Sequence, residues 1–89
     1  MATMLVQHQV SDYAKWKAVY DSVIDLRKSS GELSDDIYRD ADDPNSLTIV
    51  FKWDSLEGAK KYAQSPELKE AMQKAGVTGP PKIFFLNEA

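Results

Sequence analysis

The chain has no cysteine and only one histidine, His8. Without thiols it forms neither a disulfide nor a thiolate-held metal centre. One imidazole cannot supply the several that a multi-histidine zinc or iron site requires. No metal is expected. Gly58 and Gly76 are isolated rather than part of a phosphate-cradling loop, and no serine sits in a nucleophile elbow. Nucleotide-binding and hydrolase readings are therefore unsupported. Basic charge is also short: 11 Lys and Arg stand against 14 Asp and Glu, a net charge of −3. Binding to nucleic acid phosphates needs clustered cations, whereas these are spread among acids along helical stretches, as in Arg27-Lys28 and Lys69-Glu70. No apolar run approaches the roughly 18 residues of a membrane span. The start Met1-Ala2-Thr3-Met4 lacks the charged and apolar regions of a signal peptide, so a cytoplasmic protein is expected.

At 89 residues the chain is one domain, 1–89. A domain this small buries only about 60–65% of the surface that its unfolded chain exposes. Such domains gain stability from disulfides, metals or a partner subunit. With the first two excluded, a homodimer is the expectation.

Hydrophobic periodicity gives the element order. Met4-Leu5-Val6-Gln7-His8-Gln9-Val10 alternates as a strand, with Met4, Val6, His8 and Val10 on one face. Ser11 or Asp12 then caps a helix whose apolar stripe is Tyr13, Trp16, Val19, Tyr20, Val23 and Ile24. Arg27 and Lys28 fall in its last turn, and Gly31 is placed to end it in a left-handed conformation. A strand follows over residues 34–40. Asp42-Asp43-Pro44-Asn45 is a turn signal. Leu47, Ile49, Phe51 and Trp53 share one face of the clearest strand. Asp54 with Glu57 three residues on resembles a capping box. The helix it opens buries Leu56, Ala59, Tyr62 and Ala63, then restarts at Ser65-Pro66 with serine as cap and proline at the first helical position. Gly79-Pro80-Pro81 reads as a stiff turn before a last strand, Ile83-Phe84-Phe85-Leu86.

The order β-α-β-β-α-β, its second helix split in two, predicts an α+β ferredoxin-like fold with an antiparallel four-stranded sheet and helices on one face. A sheet so covered normally has a polar outer face. Here the last strand is apolar on both faces, and Leu5 lies opposite Val6 and Val10 in the first. An apolar outer face on so small a protein predicts two sheets packed face to face about a two-fold axis.

The pieces Val6-Gln7-His8-Gln9-Val10-Ser11-Asp12-Tyr13 with Trp16 downstream, Asp42-Asp43-Pro44-Asn45, Trp53-Asp54-Ser55-Leu56-Glu57-Gly58-Ala59, and Ser65-Pro66-Glu67-Leu68 with Met72 and Ala75-Gly76-Val77 cover nearly the whole chain. Together they resemble the antibiotic-biosynthesis-monooxygenase-like members of the dimeric α+β barrel superfamily. The resemblance implies pairing of two chains into a dimeric α+β barrel. It also implies one of several chemistries: cofactor-free oxygenation of polycyclic phenols, polyketide cyclisation, muconolactone-type isomerisation or haem degradation. Haem-degrading members carry a histidine ligand on a late helix, and this chain has none there. Because one fold hosts many reactions, function has to be argued from the site.

His8 is the side chain whose unperturbed pKa, roughly 6.5, lies nearest physiological pH. On a strand facing a pocket, its imidazole is the candidate catalytic base; the bland alternative is a hydrogen-bonded histidine beside the core. Trp16, Tyr20, Trp53 and Tyr62 are candidate substrate-binding aromatics for a flat ligand, though each also falls on a core stripe. Arg39 is a candidate holder of a carboxylate or phenolate, or one half of a surface ion pair with neighbouring acids. Asp42 and Asp43 form a metal-like pair on paper and a turn by context.

Two functional expectations follow. One is a small enzyme without cofactor that abstracts a proton from an aromatic or polyketide-like molecule, of monooxygenase or cyclase/isomerase type. The other is a non-catalytic dimeric module that binds a small ligand or takes part in stress-related interactions.

Overall fold

A computed structural model describes residues 2–89, so Met1 of the 1–89 domain lies outside the described residues. The elements are β1 (Ala2–Val10), α1 (Tyr13–Ser22), α2 (Ile24–Ser29), β2 (Glu32–Arg39), β3 (Ser46–Trp53), α3 (Leu56–Ala63), α4 (Pro66–Lys74) and β4 (Val77–Asn87). The four strands form one sheet in the order β2-β3-β1-β4, with every neighbouring pair antiparallel. This is the ferredoxin-like α+β fold, with β2 and β4 at the edges.

The alternation in β1 and β3 builds the core. Met4 faces Phe51 and Val6 faces Ile49 across the β1–β3 ladder, and all four are buried under the helices with Leu47 and Trp53. No helix of the described residues covers the opposite face. There Leu5 lies between Val50 and Phe84, and Thr3 between Lys52 and Leu86. Phe84, Leu86 and Tyr38 remain exposed.

Three local readings are refined. The first helix is not continuous but breaks at Val23 into α1 and α2. Serine hydroxyls inside a helix compete with its ladder. Ser22 Oγ donates to the Val19 carbonyl at 2.6 Å, just ahead of the β-branched pair Val23-Ile24. Asp54 does not cap α3. Ser55 does, its side chain accepting from Gly58 N at 3.0 Å, while Asp54 N donates to the Gly31 carbonyl. Gly31 ends α2 at φ 117°, as its position predicts.

Gly79-Pro80-Pro81 is no turn before a short strand but part of one long edge strand. Gln7 faces Lys82 and Gln9 faces Thr78, so the three residues bulge out of the ladder opposite His8. Prolines fit there because an edge strand leaves half its N–H groups unpaired in any case. Asp42 and Asp43 shape the β2–β3 turn. Asp40 Oδ1 accepts from the N–H groups of both, and Asp43 Oδ1 accepts from Asn45 N.

Candidate functional site

A cavity lies between the helix-covered face of the sheet and the helices. Its floor is Met4, Val6 and His8 of β1 with Ile49 and Phe51 of β3; Trp16, Tyr20 and Arg27 wall one side, Tyr62 and Met72 the other. Its volume is about 60 Å³. An engineered cavity of about 150 Å³ admits benzene, so an aromatic ligand enters only when the helices shift apart. The break at Val23, which itself lines the cavity, lies in the wall that would have to give.

At one end stands His8. Both of its ring nitrogens are buried, and neither has a hydrogen-bond partner among the described residues. A buried polar atom without a partner is costly and rare. Trp16 meets the ring edge-on at 5.7 Å. Burial lowers the His8 pKa from 6.5 to about 4, because the apolar surroundings disfavour the imidazolium. His8 is thus neutral at pH 7, with a lone pair available but weakly basic.

At the other end lies Arg27, only 2% exposed. The helix break explains its position. Ending α1 at Ser22 orphans the last carbonyls of the helix, and Arg27 Nη1 donates to the Tyr20 carbonyl at 2.6 Å. Nε pairs with buried Glu32 at 3.0 Å, and the guanidinium lies 3.7 Å from the Tyr20 ring centre. Nη2 is buried without a partner among the described residues. Burial raises the pKa of Glu32, opposed by Arg27.

Between the two ends Tyr20 stacks on Trp16 at 4.7 Å. Its hydroxyl donates to Asp35 Oδ2 at 2.5 Å. Burial and then this bond push the phenol well above its usual range. Tyr62 is likewise raised by burial and pulled back by Arg27.

Of the residues singled out from sequence, His8, Trp16, Tyr20 and Tyr62 meet at this cavity; Arg39 and Trp53 are not among its lining residues. Arg39 is exposed, donates to the Pro44 carbonyl at 2.9 Å and lies 4.0 Å over the Tyr13 ring. Trp53 is fully buried, 5.2 Å from Tyr62, and belongs to the core. Arg27, Glu32 and Asp35 are additions. Charge alone groups Arg27 with solvated basic residues, yet it lies four residues after Val23 and seven after Tyr20, on the same helical stripe. That spacing is the signal that marks it. Among the described residues no three His, Cys, Asp or Glu side chains converge as a metal site, and no helix is long and apolar enough to cross a membrane.

The sequence profile described as Antibiotic biosynthesis monooxygenase matches residues 7–74, from β1 through α4. The chain belongs to this family. No curated protein matches the sequence. Several solved structures share the family's fold. A candidate antibiotic biosynthesis monooxygenase from Bordetella bronchiseptica superposes with a TM-score of 0.82 at 16% identity, over 99% of this chain and 96% of that one. A conserved protein from Methanosarcina mazei Go1 gives 0.77 at 17% identity, over 100% and 94%. SnoaB, a cofactor-independent oxygenase from Streptomyces nogalater, gives 0.74 at 15% identity, over 99% and 94%. At these identities the shared property is the fold.

Proposed function

We propose that the chain is a homodimeric, cofactor-independent enzyme that removes a proton from an aromatic or polyketide-like molecule, as a monooxygenase or as a cyclase/isomerase. The observation that carries this reading is His8, a neutral imidazole with two unpartnered nitrogens facing an aromatic-walled cavity. A buried, unpaired base is expensive for stability and useful for proton transfer. Trp16 and Tyr20 offer flat surface to a ring system, and Tyr62 closes the opposite wall.

His8 takes a proton from a C–H or O–H made acidic by conjugation, leaving the electron pair on the substrate. In a cyclase or isomerase that carbanion attacks or reprotonates at another carbon. In a monooxygenase it adds dioxygen to give a peroxide anion, which recovers the proton from His8. Loss of water from the hydroperoxide then leaves a carbonyl. The substrate supplies the electrons, and family membership together with the likeness to SnoaB supports this route. An imidazolium with a pKa near 4 is a strong acid, so the proton is returned readily.

The apolar outer face of the sheet, with Leu5, Val50, Phe84 and Leu86, supports the homodimer. The test of the enzyme is His8→Gln against wild type, following solvent deuterium exchange into a panel of phenols and cyclic ketones alongside oxygen uptake. Loss of exchange in the variant is expected. Turnover that survives the substitution would refute a catalytic His8.

A second reading, a dimeric binding module without catalysis, is favoured by the same low His8 pKa, because a weak base drives proton removal poorly. It predicts ligand affinity that survives loss of His8 and falls with loss of Trp16 and Tyr20.

A further inference from the structure

Arg27 is the one cation lining the cavity among the described residues, and a buried arginine ordinarily invites a carboxylate, which it grips with two parallel N–H bonds. That fork is not free here. Nε is held by Glu32 and Nη1 by the Tyr20 carbonyl, which leaves Nη2, with the Tyr62 hydroxyl near the guanidinium, as the one remaining donor. The charge is not free either. The Glu32 carboxylate balances Arg27 directly, and its side chain is as deeply buried as that of its partner. Asp35 stands next along β2 on the same face as Ile37 and binds Tyr20, whose ring lies under the guanidinium. Behind the lining, Glu32 and Asp35 thus set two acids against this one cation.

We propose that Glu32 sets the ligand class of the cavity: by occupying and neutralising Arg27 it makes the site take an uncharged carbonyl or hydroxyl oxygen at Nη2 and turn away carboxylates. The inference rests on the reading of this cavity as a small-molecule site. A single N–H donor with its charge compensated stabilises a neutral acceptor without drawing in free anions, and it gains strength as negative charge develops on that oxygen. A carboxylate would meet one donor, two like charges and the full cost of leaving water. Glu32 is in this sense a specificity-determining residue that does not itself touch the ligand.

The test uses benzamide and benzoate, which share size and shape and differ in charge at pH 7. Each is titrated into the folded protein, and the ring resonances of the only histidine, His8, report occupancy of the cavity by NMR. Wild type is expected to bind benzamide at least about tenfold more tightly than benzoate, given charges a few ångströms apart in a partly dry site. Glu32→Gln keeps an acceptor for Arg27 Nε and removes the charge. It is expected to tighten benzoate by about tenfold while leaving benzamide nearly unchanged, which also shows the cavity intact. Asp35→Asn, further from Arg27, is expected to shift benzoate in the same direction by less; it decides the matter if Glu32→Gln does not fold.

The proposal is overturned if benzoate binds wild type as tightly as benzamide, or if the folded variants leave the ratio unchanged. Either result leaves the cavity standing as a ligand site. If neither compound moves the His8 signals in any of the proteins, the cavity is no ligand site, and the proposed function fails together with this inference.

Discussion

Acidification isolates the state of His8, because the lone imidazole can be followed by itself. Above pH 6.5 it is neutral whether the chain is folded or unfolded, and it contributes nothing to the pH dependence of stability. As the pH falls below 6.5 the unfolded chain takes up its proton while the folded one resists until about 4. The proton-binding state is then the unfolded one, and stability drops across that window. A tenfold change in proton affinity is worth about 1.4 kcal/mol, so burial alone would put the full loss at about 3 kcal/mol. His8 keeps partial contact with solvent, and screening brings the expected loss to about 2 kcal/mol. Urea unfolding of wild type and His8→Gln at pH 7.5 and 4.5 measures it. The carboxylates titrate in both proteins and cancel, so wild type should lose about 2 kcal/mol more than the variant. An imidazole resonance that titrates near 6.5, or equal losses in the two proteins, would refute the argument that this ring is held dry and neutral.

Other perturbations test the frame around the cavity. Arg27→Met strands the Glu32 carboxylate and is expected to cost about 3–5 kcal/mol in urea unfolding, whereas the double replacement Arg27→Met with Glu32→Leu recovers most of it. Trp53→Ala is expected to lower stability by about 3–5 kcal/mol while His8 keeps its depressed titration, since Trp53 is core and not lining. Gly31→Ala forces a side chain onto a φ of 117° and against the Asp54 carboxylate, and thermal unfolding should show a loss of about 1–2 kcal/mol. Leu86→Asp with Phe84→Asp places charge on the helix-free face; if the proposed pairing holds, sedimentation should show a dimer for wild type and a monomer with unchanged circular dichroism for the variant.

Most of the architecture was legible because it is written in periodicity. The period-two runs through β1 and β3, the stripe Trp16-Tyr20-Val23 and the Ser65-Pro66 restart each point to one structure, and tertiary contacts agree with them. What escaped was set by competition at single atoms. Ser55 outbids Asp54 as the cap because the Asp54 backbone is already engaged with Gly31. The prolines at 80 and 81 look like an ending, yet an edge strand absorbs them as a bulge. At the site the aromatic wall was visible from spacing, while Arg27 was masked by its charge. A basic residue in a last helical turn is ordinarily solvated; only the break at Val23, with its orphaned Tyr20 carbonyl, and the acid at position 32 make a dry home for it. Its spacing from Tyr20 and Val23 turns Arg27 inward, but neither of these partners shows in periodicity.

The bulges have a bearing on assembly as well. Pro80 and Pro81 offer no N–H along the outer rim of β4, and β2 on the opposite rim shifts register between Glu32 and Ser34 and carries Asp35 and Asp36. Both borders of the sheet are therefore poor templates for a further strand, so runaway growth by edge-to-edge addition is discouraged. Contact through the sheet is left to its helix-free face, and the proposed pairing there would use up that face in a single contact.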